Sequence, residues 1–183
     1  MNVNIKRLSP DAQTPAYAHA TDAGFDLVAA ADVIIEPGAT ACVPTGLAFE
    51  IPEGYEMQIR PRSGITLKTK LRVQLGTVDA GYRGEVGVVV DNIAQRTGEE
   101  DTIYVFVDGD WNETEKSEFF DPELRGYRYG SVFVPENTYK IRKGDRIAQA
   151  VIKPVEQAVF TEVDVLGDSD RGAGGFGSSG VRR

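Results

Sequence analysis

The chain has 183 residues, 41% of them hydrophobic, and a formal charge of −8. That length suits one domain, or one domain carrying a large excursion, and the acidic balance excludes a broad nucleic-acid surface. No run approaches the ~20 apolar residues that span a bilayer, the N-terminus MNVNIKRLSPDAQ lacks the apolar core of a signal peptide, and the single cysteine, Cys42, excludes an internal disulfide and a cysteine zinc cluster.

These exclusions predict a soluble cytoplasmic protein, with no membrane contact and Cys42 packed as a small hydrophobe. Along the chain, strand signals dominate. NVNIKRL, DVIIEPG, TACVPTGLAFEIPEGYEMQIRP, RVQLGTVDAGY, EVGVVVDN and RIAQAVIKPV are short, rich in Val, Ile, Tyr and Phe, and bounded by Gly, Pro and Asp. VGVVV predicts a strand buried on both faces, and EPG at 36–38 and PEG at 52–54 predict tight turns. One short helix is expected at SGITLKTK, 63–70, with Ser63 as its cap. The turn spacing predicts an all-β sandwich or barrel. Residues 1–170 form that barrel, interrupted by an acidic insertion at 93–139. The insertion holds 11 acidic and 4 basic residues, a balance of −7 out of the chain's −8, and the only tryptophan, Trp111. A solvated surface excursion is expected there, or a patch for a protein partner. The tail RGAGGFGSSGVRR, 171–183, is too rich in Gly and Ser to fold alone, yet carries Arg171 and Phe176.

Four further stretches concentrate chemistry. TDAGFDL spans 21–27, RPRSG 60–64, GTVDAGYRGEV 76–86 and GDRIAQAVI 144–152. DAGY makes a hairpin with Asp79 at its start and Tyr82 at its tip. Ser63 at a helix start beside Arg62 offers a hydroxyl, backbone N–H groups and a guanidinium to a phosphate oxygen. Gln149, inside an apolar run, predicts a buried amide that needs partners. His19 is the only histidine and is expected on the surface. With one His and one Cys, a general base must come from elsewhere, and a carboxylate is the first choice.

Taken in order, TDAGFDL, PRSG, GTVDAGYRGEV, GDRIAQAVI and RGAGGFGSSG resemble the five motifs of the trimeric deoxyuridine triphosphatase (dUTPase) family. The resemblance covers the chain except 93–139, where some bacteriophage members carry an insertion. It implies an all-β, dUTPase-like jelly-roll barrel with one short helix, assembled as a homotrimer. The implied reaction is hydrolysis of dUTP to dUMP and pyrophosphate at subunit interfaces, with residues 171–183 closing over a neighbour's site. Asp79 is the implied base, orienting and deprotonating water for attack on the α-phosphorus. The ring of Tyr82 packs under the deoxyribose and excludes ribonucleotides. Backbone around Gly76, Thr77 and Val78 reads the uracil edge. Arg62, Ser63, Gly64 and Gln149 bind phosphate oxygens. Arg171 grips the γ-phosphate, Phe176 stacks on uracil, and Gly177 and Ser178 donate to the phosphates. Mg²⁺ sits mainly on the triphosphate, with Asp26 touching its waters.

Two departures and two rivals accompany the resemblance. Many members carry Asn six residues before the base, where this chain has Val73, with Gln74 beside it. A dCTP deaminase relative needs a glutamate on the strand after the third motif. Val89 stands there instead and cannot move a proton. The other rival is a nucleotide-switched regulatory protein acting through 93–139.

Overall fold

A computed structural model describes residues 1–97, 100–101, 103–106, 111–113, 116–121, 126–131 and 134–175. Two antiparallel sheets frame the site. The first has the order β2–β17–β6–β8, formed by β2 (Phe25–Val28), β17 (Arg146–Pro154), β6 (Tyr55–Pro61) and β8 (Gly76–Asp79). The second has the order β4–β9–β7, formed by β4 (Thr40–Pro44), β9 (Gly87–Asn92) and β7 (Leu71–Val73). β1 (Asn4–Arg7) pairs with β5 (Leu47–Glu50) as a separate ribbon. Alternation along each strand sends one set of side chains inward. Leu27, Ile35, Val43, Met57, Leu71, Val88, Val90, Ile141 and Ile147 meet in one apolar core, each less than 2% exposed. The all-β expectation holds, and α1 (Ser63–Lys68) is the single helix among the described residues. No described helix is long and apolar enough to cross a membrane.

The predicted turns form where glycine permits them. Gly38 and Gly54 adopt φ of +76° and +80°, a region that side-chain-bearing residues avoid. The helix departs from expectation at both ends. Its N-cap is Arg62, held extended at φ −94°, ψ 131°, so Ser63 is the first helical residue and caps nothing with its hydroxyl. It stops at Lys68 because Thr69 is extended. The Thr69 hydroxyl donates to the Ile65 carbonyl at 2.7 Å and accepts the Leu71 N–H at 3.0 Å, bending the chain into β7.

The expectation that VGVVV is buried on both faces is not met. Val88 and Val90 are buried, but Val89 between them is 40% exposed, because the β4–β9–β7 sheet has only one face on the core. Cys42, directly across from Val89, is exposed too, so it does not pack as an interior hydrophobe.

Part of the 93–139 segment is woven into the barrel. β11 (Ile103–Phe106) lies parallel against β16 (Tyr139–Ile141), giving a sheet ordered β12–β11–β16–β3 with β12 (Trp111–Glu113) and β3 (Val33–Ile35). β13 (Lys116–Asp121) and β14 (Gly126–Ser131) pair as a hairpin of their own.

Candidate active site

The open face of the β2–β17–β6–β8 sheet carries the polar residues that the motifs single out. At one end, Arg62, Ser63, Gly64, Lys68, Arg146 and Gln149 line a cleft of about 370 Å³. The elements explain the convergence. β6 ends at Pro61 and turns at once into α1, which leaves Arg62, Ser63 and Gly64 at the sheet rim. A Cβ built on Gly64 would meet nothing within 4 Å, so its backbone is open to a ligand. β17 presents Gln149 beside them, in register with Asp26 on one flank and Arg60 on the other. β2 and β17 come close at Gly24, where a Cβ would sit 3.1 Å from the Ala150 carbonyl oxygen. That close approach accounts for the glycine in TDAGFDL.

Two features at this end differ from the sequence expectation. Gln149 is exposed, not buried, because Ala148 and Ala150 take the inward positions of its strand. Its amide is therefore free to meet a ligand without a core partner. Asp26 is engaged on both oxygens. Oδ1 lies 3.1 Å from Arg62 Nε and Oδ2 lies 3.3 Å from Arg146 Nη1. Arg62 also donates from Nη1 to the Arg146 carbonyl at 2.9 Å. Arg146 and Lys68 escaped the sequence reading, although their signal was present: a cation in the fourth motif and another one helical turn beyond Ser63.

Along β8, the edge strand of the sheet, Gly76, Thr77, Val78, Asp79 and the following Tyr82 line a separate cleft of about 250 Å³. Asp79 ends β8, and the Tyr82 N–H donates to its carbonyl at 3.0 Å, closing a tight turn; the expected hairpin does not form as a strand pair, because β8 pairs with β6 and the following β9 with β4 and β7. The Tyr82 hydroxyl donates to the Glu85 carbonyl at 3.0 Å and pins the ring over its own turn. Val73 is buried in the core, and the Gln74 amide is committed to Asp91, so neither supplies a side-chain contact near Asp79.

The two clefts do not meet within one chain. Asp79 is the cross-strand partner of Glu56, near the start of β6, whereas Arg62 follows its end. Six extended residues separate them, on the order of 20 Å. Within the described part of the tail, 171–175, Arg171 lines neither cleft and donates to the Gly174 carbonyl at 2.7 Å, within its own segment. Phe176, Gly177 and Ser178 lie outside the described residues. His19 is on the surface as expected, beside Asp22 at 3.3 Å. Among the described residues no three His, Cys, Asp or Glu side chains gather as a metal cage. Asp26 stands at the phosphate-side rim and Asp145 lines the cleft itself, too few protein ligands for a cage, which suits a cation carried in by its ligand and approached through water.

Known proteins match this arrangement. The family model described as dUTPase matches residues 11–99 and 129–180, which leaves 100–128 unmatched inside the 93–139 segment. A deoxyuridine 5'-triphosphate nucleotidohydrolase of Thermobifida fusca is 42% identical over 182 residues, covering 98% of this chain and 79% of that one. The dUTPase of Staphylococcus bacteriophage 80alpha, solved with dUPNHPP, is 34% identical with a TM-score of 0.85, covering 98% of this chain and 99% of that chain. A mutant dUTPase from phage phi11 of S. aureus, described with a structural Mg(II) ion, is 30% identical with a TM-score of 0.76, covering 90% and 98%. The ordered motifs, the sheet β2–β17–β6–β8 that carries the first four of them, and these likenesses across nearly the whole length agree: the chain belongs to the dUTPase family.

Proposed function

We propose that the chain hydrolyses dUTP to dUMP and pyrophosphate, at sites that each combine residues of more than one copy of a homotrimer. The observation that carries this is the division of the motif residues into two complementary half-sites. Arg62, Ser63 and Gln149 form an anion-binding cleft, while Asp79 and Tyr82 line a cleft at a tight turn suited to a nucleoside. Docking that turn of one copy beside the anion-binding cleft of another brings the halves together.

Asp79 orients the nucleophilic water and takes its proton as oxygen bonds to the α-phosphorus. The bond from the α-phosphorus to the bridging oxygen breaks, and pyrophosphate leaves with that electron pair. Positioning supplies most of the acceleration, so the carboxylate needs little tuning. Arg62, the Ser63 hydroxyl, the Gly64 N–H and the Gln149 amide hold phosphate oxygens. The Gly76–Val78 backbone reads uracil, and the Tyr82 ring fills the space that a 2′-hydroxyl would need. A bound Mg²⁺ would offset triphosphate charge and fix the chain's conformation, with Asp26 holding its waters. Arg171, Phe176, Gly177 and Ser178 then close over the nucleotide from a neighbouring subunit. The product dUMP feeds thymidylate synthesis, and removal of dUTP keeps uracil out of DNA.

Two apolar surfaces support the assembly. One is the Val89–Cys42 face. The other is the extended stretch after β17, where Val159 and Phe160 are 94% and 93% exposed. Such surfaces on a single chain mark contacts with another. Neither the deaminase nor the regulatory alternative draws support from the relatives named above.

The test is pyrophosphate release from dUTP, dCTP, dTTP and UTP with Mg²⁺, beside Asp79→Asn. Release from dUTP alone, abolished by the substitution, is the expected result. Equal release from the four nucleotides, or full activity in Asp79→Asn, would overturn it.

A further inference from the structure

Between β8 and β9 the chain runs through residues 80–86 outside any strand, and the Tyr82 ring stands on that stretch. Its bonds to the Asp79 and Glu85 carbonyls fix the ring to the turn. A Cβ built on Gly84 would overlap the phenol, so the ring lies across a position that only glycine leaves open. These contacts do not fix the turn to the barrel. The far end of the stretch is fixed at Val86, whose N–H donates to the Leu47 carbonyl at 2.8 Å and whose carbonyl accepts the buried Thr45 hydroxyl at 2.5 Å. Short of that end, the placing of the ring falls to side chains.

Arg83 and Glu85 reach out of the turn. Arg83 lies 3.8 Å from Glu50, with both side chains more than half exposed, so water screens the pair and it contributes little. Glu85, which lines the same cleft as Tyr82, makes the firmer tie. Its Oε1 accepts the Gly46 N–H at 2.7 Å, the short distance of a bond to a charged acceptor. Gly46 is a rigid anchor. It joins β4 to β5 at φ +66°, its carbonyl accepts the Leu8 N–H at 2.7 Å, and a Cβ there would come within 2.8 Å of the Ala12 Cβ. Glu85 thus makes both ends of one connection: its carboxylate is bonded to the barrel, and its carbonyl holds the Tyr82 hydroxyl.

We infer that Glu85 is a positioning residue for sugar selection: through Gly46 it holds the turn so that the Tyr82 ring occupies the place a 2′-hydroxyl would need. The inference rests on the dUTP reading above and names the group that keeps the excluding ring in place. Losing the tie leaves Val86 anchored, so the barrel persists while the ring gains room to move aside.

The experiment compares wild-type protein with Glu85→Gln, Glu85→Asp, Glu85→Ala, Tyr82→Ala and the double variant Tyr82→Ala with Glu85→Ala. Each is titrated with dUPNHPP and with its ribose counterpart UPNHPP, and kcat/KM is measured for dUTP and UTP. Assembly is checked by solution mass. Glu85→Ala is expected to lower the dUTP-to-UTP ratio of kcat/KM, and the matching ratio of affinities, about fivefold. Glu85→Gln keeps an acceptor oxygen at the same reach and retains most of the preference. Glu85→Asp keeps the charge but is one methylene too short for Gly46. It follows Glu85→Ala, and it carries the test should the alanine variant fail to assemble. In the Tyr82→Ala background, Glu85→Ala changes the ratio no further, since Glu85 acts through the ring. A ratio unchanged in assembled Glu85→Ala or Glu85→Asp, or a further fall in the double variant, would overturn the inference and leave Glu85 as a purely structural tie. Wild-type protein that prefers dUPNHPP to UPNHPP but releases no pyrophosphate from dUTP defeats the hydrolase reading alone, and the affinity ratios still judge Glu85. Wild-type protein that binds the two alike defeats the inference itself.

Discussion

At Tyr82 two hydrogen bonds within one turn decide what the side chain can do. Its N–H and hydroxyl are both satisfied by the turn's own carbonyls, so the ring is fixed before any nucleotide arrives. A fixed ring excludes by occupying volume, which discriminates against an added hydroxyl only while the ring is present. Tyr82→Ala is therefore expected to lower the preference for dUTP over UTP by about tenfold or more, measured as the ratio of kcat/KM values. The side chain is 47% exposed, so thermal stability should change little. Asp26 illustrates the opposite case. Its position in TDAGFDL announces a polar role, but its two guanidinium partners lie far along the sequence, at 62 and 146.

Among the elements, the turn after β2 shows how loops lock strands. Asp32 accepts the Lys143 backbone N–H at 2.7 Å and lies 3.4 Å from Lys140 Nζ, so it ties this turn to the chain between β16 and β17. The backbone hydrogen bond from Lys143, with help from Lys140, holds the Asp32 carboxyl below its ordinary range despite some desolvation. A lowered folded value means that the native state favours the carboxylate. The contribution is therefore complete above the ordinary carboxylate range and is lost as pH falls through the folded value. Asp32→Asn should lower the Tm at pH 7, and the gap from wild type should close as pH falls below the ordinary carboxylate range. Thermal melts of both proteins across that range check the sign. A gap that widens in acid would contradict the assignment. The short α1 depends similarly on tertiary contacts: six residues do not sustain a helix in water, and Ile65 packs its one buried position into the core.

For the whole molecule, the separation of Asp79 from Arg62 has a kinetic signature. In the proposed assembly each site takes its base from one copy and its phosphate cleft from another, so Asp79→Asn and Arg62→Ala spoil different halves. Either variant alone should be nearly inactive. Unfolding and refolding an equal mixture should restore about a quarter of wild-type activity, since every mixed trimer contains one intact site of three. No recovery in mixtures whose mixed assembly is demonstrated by mass would place both halves in one chain. Val89→Glu puts a charge on the exposed apolar face and should prevent assembly, with activity lost in proportion to the trimer lost in solution-mass measurements. Deleting 171–183 should have the contrasting effect, leaving a folded trimer with very low turnover.

Sequence alone settled the all-β class, the turns at 36–38 and 52–54, the tight turn from Asp79 to Tyr82 and the order of the five motifs. These are local matters: strand alternation, glycine at positive φ and short polar spacings are written in consecutive residues. It misjudged the helix ends, because Thr69 stops α1 through hydroxyl bonds that run with and against the chain. It also misjudged burial at Val89, Cys42 and Gln149, because burial depends on which face a neighbouring sheet covers. Three features came only from the tertiary structure: the slip in β17 that turns Arg146 outward, the two guanidiniums on Asp26, and the separation of Asp79 from Arg62. Those facts depend on register between strands distant in sequence, and a slip of one residue in that register exchanges core for cleft.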